Sequence, residues 1–206
     1  MTAGLAGIVL AGGQSRRFGS DKASALLAGR SLLDWVTSAT GRVCDSVVVV
    51  RARGQVLPLI REGTMVVDDF ADAEGPLAGL IAGLRACRTE WAFATSCDAP
   101  LLRPGVIELL ARRAAGHGGA IAEVDGFRQP LVAVYRVSDT LQALEASFAE
   151  GNRALTRAIA ALGLAIVSEG ELRAVDPGLV SFLNANRPGT LAGMGRILAD
   201  LGESDS

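Results

Sequence analysis

Short apolar runs alternate with amphipathic stretches through the first half of the chain. Residues 5–11 (LAGIVLA), 46–50 (SVVVV), 65–67 (MVV) and 91–97 (WAFATSC) are rich in Val, Ile and Ala. Between them lie helix-like segments starting near Ser31, Gly75 and Arg103. A short apolar run alone fits a buried helix as well as a strand, so the alternation decides. It predicts buried strands of a parallel sheet with helices on both faces. In the segment from Gly75, Leu77, Leu80, Ile81 and Leu84 share one face, while Gly79, Ala82 and Gly83 are small. The small residues suit close packing, or a helix start lying against a ribose or base.

The second half is less regular. Residues 120–124 and 130–136 (PLVAVYR) read as strands joined by 125–129, and two helices follow, over 138–149 and 152–162. A short strand is expected at 164–167, and residues 180–183 then lead into Asn184-Ala185-Asn186. Pro188 suits the first turn of a terminal helix, where a missing N–H costs little. No period of 20–50 residues recurs and no linker divides the chain. The expectation is a single α/β domain over 1–201: a doubly wound, mostly parallel sheet with a small mixed-strand extension. Residues 202–206 read as a disordered tail.

Composition narrows the function classes. Twenty Lys+Arg against 22 Asp+Glu leave a net charge of −2 over 206 residues. That argues against general nucleic-acid binding, which needs an excess of positive charge to release counterions. No apolar run approaches the ~20 residues of a membrane span, and the N-terminus lacks signal-peptide order, so a cytoplasmic setting is expected. Cys44, Cys87 and Cys97 share no CxxC spacing, which argues against structural zinc and fits buried small hydrophobes. The single histidine, His117, sits among Gly116, Gly118 and Gly119 and reads as part of a turn, which argues against a Ser-His-Asp enzyme. Of the twenty basic residues, nineteen are Arg and one is Lys22.

Lys22 falls in the strongest motif, residues 10–22, LAGGQSRRFGSDK. It follows the first strand and so emerges at the carboxyl edge of the sheet, where open α/β folds bind ligands. The adjacent Gly12 and Gly13 let backbone N–H groups approach an anion, and Arg16, Arg17 and Lys22 add three cations. A polyphosphate is the natural guest; the alternative is a solvated glycine loop with surface arginines. The spacing is neither the P-loop GxxxxGK[ST] nor GxGxxG. Asp98 ends the strand 91–97 at the same edge; it can hold Mg²⁺, or cap the turn before Pro100. Four acids lie in residues 68–74, directly before Gly75-Pro76, where they suit the N-terminal end of a helix dipole.

The motif at 10–22 resembles the signature of the molybdenum cofactor guanylyltransferases, MobA-type nucleotidyltransferases of Rossmann-like fold. Further features of that family recur in order: an acidic segment before Gly75-Pro76-Leu77-Ala78-Gly79, then Cys97-Asp98-Ala99-Pro100, then Asn184-Ala185-Asn186. The resemblance implies transfer of GMP from GTP to the terminal phosphate of molybdenum-molybdopterin, with Mg²⁺ as cofactor. It implies Lys22, Asp98 and Arg17 as catalytic residues, with Asp98 as the metal ligand. It implies nucleotide binding by Leu10, Ala11, Gly12, Gly13, Lys22, Asp69, Gly75 and Asp98. Gln129, Asn184 and Asn186 become acceptor-binding candidates, although the two asparagines suit helix capping equally well. Gln129 stands where relatives often carry His; it can hydrogen-bond but cannot titrate. Relatives can carry a nucleotide-contacting Asn where this chain has Val50, and no such role passes to Val50.

Partners implied are GTP, molybdopterin, and apo-molybdoenzymes or other cofactor-biosynthesis proteins, with no nucleic acid and no membrane. Two other readings stand beside this one: a sibling that moves CMP or another nucleotide onto molybdopterin or a sugar or small-alcohol phosphate, and a non-catalytic carrier of the cofactor. Intact Lys22 and Asp98 weigh against the carrier, because binding alone needs no metal-organising carboxylate.

Overall fold

A computed structural model describes residues 4–12, 22–70, 75–186, 188–200 and 202. Its centre is the sheet the sequence predicts. Strands β1 (Leu5–Leu10), β4 (Ser46–Arg51), β5 (Met65–Asp68) and β6 (Trp91–Ser96) are joined in the order β5-β4-β1-β6, all parallel. β8 (Phe127–Arg136) runs antiparallel to β6 and to β7 (Gly119–Val124), and β9 (Ala165–Val167) closes the far edge parallel to β7. A separate two-stranded hairpin, β2 (Leu26–Leu27) with β3 (Arg30–Ser31), has no counterpart in the sequence reading.

Side-chain alternation divides the core between the two faces of the sheet. Leu5, Val9, Val47, Val49 and Phe93 pack against α1 (Leu32–Gly41) and α3 (Pro104–Arg113). Ile8, Leu10, Val48 and Val50 point the other way, to the Leu77, Leu80, Ile81 and Leu84 face of α2 (Pro76–Ala86). α4 (Val137–Ala149) packs beside α2 on that face. Gly83 is needed for the close approach: a Cβ there would lie 2.5 Å from Ile8 Cγ2. Strands predicted as 5–11 and 91–97 each end one residue earlier, at Leu10 and Ser96.

Three differences from the sequence reading have local causes. The link at 125–129 is only Asp125-Gly126, both with positive φ (53° and 76°), as a two-residue hairpin turn requires. β8 therefore begins at Phe127, and a bulge near Ile121 and Ala122 lets Pro130 sit within the strand. The helix expected over 152–162 shrinks to α5 (Leu155–Ala158), because the Asn152 side chain accepts from the Ala154 N–H and holds the entry in a turn. An unpredicted helix, α6 (Glu169–Arg173), starts at a capping box between Ser168 and Glu171. The terminal helix α7 (Pro188–Asp200) begins at the expected proline and buries Met194 and Leu198 against Leu27, Leu32 and Leu101.

Cys44 and Cys97 are buried and Cys87 is half-buried, and none of the three is joined in a disulfide. Burial pushes the Cys44 thiol up to about 12, with Asp45 and Cys87 adding to the effect, and pushes Cys87 up to about 11. His117 lies in the bend before β7. No helix among the described residues is long and apolar enough to cross a membrane. Of the expected tail, residues 203–206 lie outside the described residues.

Candidate active site

The sheet order β5-β4-β1-β6 reverses direction of travel at β1 and β6, and ligands of open α/β sheets bind beyond the strand ends at such a point. Lys22 and Asp98 both lie there. Lys22 opens the short 3-10 turn Lys22–Ser24, and Asp98 follows β6 by two residues. The ammonium Nζ donates to Asp98 Oδ2 at 3.0 Å and to Asn186 Oδ1 at 3.0 Å. The Ser96 hydroxyl donates to the other oxygen, Asp98 Oδ1. The Asp98 carbonyl in turn accepts from the Ala185 N–H at 2.7 Å, which ties residues 184–186 to the end of β6. Residues separated by 164 positions thus meet on one ammonium group. Lys22 and Asp98 are each 18% exposed in their side chains, open enough to meet a ligand and covered enough to feel its charge.

Beyond strand β1 the described part of the loop, Ala11 and Gly12, spends its backbone N–H groups on the neighbouring strand, so these two do not meet an anion as the sequence predicts. The Ala11 and Gly12 N–H groups donate to the Val50 carbonyl at 2.8 and 3.2 Å. Gln55 donates to the Ala11 carbonyl at 3.1 Å and accepts from the Ala52 N–H at 2.9 Å. Val50 therefore shapes this loop through its carbonyl, while its side chain is core. Leu10 is also core by its side chain. A Cβ on Gly12 would lie 2.6 Å from Ala52 N, so here the missing side chain permits two loops to touch. Gly12→Ala is expected to displace residues 10–12 and weaken nucleotide binding about tenfold or more, since loop overlap of this kind costs roughly 1–3 kcal/mol. Calorimetry with GTP checks this.

Asp69 lies just beyond β5 on the same edge. Its N–H donates to the Arg51 carbonyl at 2.8 Å, and its carboxylate borders Gly79. Gly75 takes φ +108° at the N-cap of α2, a conformation that favours glycine. Gly13, Arg16 and Arg17, and the acids Asp72 and Glu74, lie outside the described residues.

On the other side of Asp98 a cleft of about 380 Å³ opens between β8, the start of α2 and the 3-10 turn Val180–Phe182. Gln129 and Asn184 line it together with Asp98, so two of the acceptor-binding candidates share a cavity with the candidate metal ligand. The third, Asn186, belongs to the Lys22 cluster instead. The Gln129 amide donates to the Phe127 carbonyl at 3.2 Å. Ser96, Thr156 and Phe182 were not singled out by sequence, although all three border this space. Ser96 stood two places before Asp98 in a run read only as strand; Thr156 and Phe182 carried no motif.

The MobA-like NTP transferase domain matches residues 7–164 of this chain. A curated molybdenum cofactor guanylyltransferase of Desulfosudis oleivorans is 36% identical over 182 residues, spanning 87% of this chain and 89% of that protein. A probable molybdenum cofactor guanylyltransferase of Methanosarcina acetivorans is 34% identical over 191 residues, with 87% and 84% covered. Among solved structures, molybdopterin-guanine dinucleotide biosynthesis protein A from Archaeoglobus fulgidus superposes with a TM-score of 0.77 at 25% identity, covering 95% of this chain and 99% of that one. The 2-C-methyl-D-erythritol 4-phosphate cytidylyltransferase of Thermus thermophilus shares the fold, with a TM-score of 0.71 at 17% identity over 93% and 98% of the two chains. With Lys22 and Asp98 on the carboxyl edge of this sheet and its relatives matched over most of their length, the chain belongs to the MobA-like NTP transferase family.

Proposed function

We propose that this protein joins the GMP moiety of GTP to the terminal phosphate of molybdenum-molybdopterin and releases pyrophosphate. The observation that carries the reading is the Lys22 ammonium, held between Asp98 and Asn186, with Asp98 also lining the cleft. Along the sheet edge the order is Asp69, Gly12, Asp98, Gln129, which supports a nucleotide on the β1–β5 side and an acceptor on the β6–β8 side. The names of the relatives supply guanine and molybdopterin.

The donor set at Asp98 fits Mg²⁺. Among the described residues no three His, Cys, Asp or Glu side chains cluster, which suits an ion that binds through one or two carboxylates plus phosphates; Asp98 would be the carboxylate that holds it. The Ser96 hydroxyl fixes the orientation of that carboxylate. When bound, Mg²⁺ supplies neutralising charge at the phosphates.

An oxygen of the acceptor phosphate attacks the α-phosphorus of GTP, and the bond from that phosphorus to the β-bridging oxygen breaks, so pyrophosphate leaves. The acceptor is already an anion near neutral pH and needs no general base, in keeping with a site built without histidine. Lys22 holds the triphosphate and the charge developing on the leaving group, and the loop at 10–12 with the cleft keeps the two phosphates in line. Titration calorimetry with GTP, CTP, ATP and UTP in Mg²⁺ is expected to give GTP the highest affinity; equal affinities would overturn the guanylyl assignment.

A further inference from the structure

Asn186 reaches Lys22 at the end of a segment whose other side chains are largely exposed: Leu183, Asn184 and Asn186 face outward and only Ala185 is buried. Such a stretch does not hold its own shape. Besides the Ala185 N–H on the Asp98 carbonyl, a second anchor lies upstream, at Asp176, which is 1% exposed and is the one charged residue in the buried set among the described residues. A carboxylate is kept in an interior only where partners compensate its lost hydration. Asp176 Oδ1 accepts from the Val180 N–H at 3.2 Å, and Oδ2 accepts from the Ser181 N–H at 2.9 Å. Arg103 Nε lies 3.3 Å from Oδ1, and the Arg103 N–H donates to Ser181 Oγ at 2.9 Å. Arg103 is the N-cap of α3, so the turn Val180–Phe182 is bolted to the start of a core helix.

The clamp also imposes backbone strain. Leu179, the residue before the turn, sits at φ +50° and ψ +34°, a left-handed conformation that a branched side chain adopts only when its surroundings require it. Its N–H donates to the Asp176 carbonyl at 2.9 Å. From this fixed turn the chain passes Phe182 and Asn184 in the cleft, docks Ala185 N–H on the Asp98 carbonyl, and delivers Asn186 to Lys22.

We infer that Asp176 is a positioning residue of the active site: through the Val180–Phe182 turn it sets Asn186 against Lys22, and it touches neither substrate. Its effect on turnover rests on the nucleotidyl-transfer reading above; its effect on Lys22 does not. The chain has a single lysine, so ¹³C-lysine labelling of the full chain gives one side-chain signal that reports the Lys22 environment directly.

The test compares Asp176→Asn, Asn186→Ala and the double variant. Asp176→Asn keeps size but loses one acceptor and the charge facing Arg103. It is expected to shift the Lys22 signal in the same direction as Asn186→Ala does and to lower kcat for GMP transfer about tenfold, with KM for GTP within about twofold. The double variant is expected to match Asn186→Ala alone, because residues acting through one another are not additive. A Lys22 signal unmoved in Asp176→Asn despite a lowered Tm, or fully additive losses in the double variant, would overturn the inference and leave Asp176 a residue of stability only. Should Asp176→Asn fail to fold, Ser181→Ala loosens the same turn without burying an unpaired charge, and the same signal decides. If the parent protein transfers no GMP, the transfer reading fails while the Lys22 signal still tests the clamp.

Discussion

Asp98→Asn is expected to reduce GMP transfer about a thousandfold, a loss of roughly 4 kcal/mol at ~1.4 kcal/mol per factor of ten. The substitution keeps the shape of the side chain and removes the charge that balances Lys22 and that would hold Mg²⁺. The backbone carbonyl that accepts from Ala185 is unchanged, and Asp98 lies outside the packed apolar clusters, so the fold should persist with a Tm close to the parent's. The amide can accept from Lys22 or from Ser96, but it cannot present two anionic oxygens to both at once. Single-turnover pyrophosphate release checks the prediction; a rate near the parent's would make Asp98 a turn residue before Pro100.

Lys22→Arg is expected to cost nearly as much, although it preserves charge. The ammonium makes two 3.0 Å contacts, to Asp98 Oδ2 and Asn186 Oδ1, that converge on one compact head. A guanidinium is planar and broad and prefers a forked partner, so it cannot occupy the same point between two separate oxygens. Displacing either oxygen moves Asp98 or the 184–186 segment, and misplacement by about an ångström costs on the order of a hundredfold in rate. The composition points the same way, since every other basic residue in the chain is Arg. The variant should still bind GTP measurably, whereas Lys22→Ala should weaken binding as well. A single-turnover rate within threefold of the parent at saturating GTP would show that position 22 supplies charge alone.

Much of this site was legible because its signals were local. A glycine loop after an apolar strand, an Asp-x-Pro after another, and a proline at the start of α2 each announce themselves within a few residues. Alternation of short Val-rich strands with helices was enough to place Lys22 and Asp98 on one edge. What the chain concealed was carried by distance. Asn186 could be read as a helix cap as easily as a ligand, because nothing near it shows that Lys22 lies 3.0 Å away. Asp176 carried no motif, since its role is buried hydrogen bonding to Val180 and Ser181. Gly12 was legible as a glycine but not as a contact: its freedom from a side chain serves the backbone of Ala52. The Asp125-Gly126 turn was present as a hairpin signal, and reading 125–129 as one link obscured it.

The most direct test mixes the protein with Mg²⁺, α-labelled GTP and molybdenum-molybdopterin and follows both products in one turnover. One pyrophosphate is expected for each labelled GMP that becomes joined to the acceptor phosphate, with CTP and ATP transferred far more slowly. Preferential transfer of CMP, or GTP binding with no label reaching the acceptor, would contradict the guanylyl assignment.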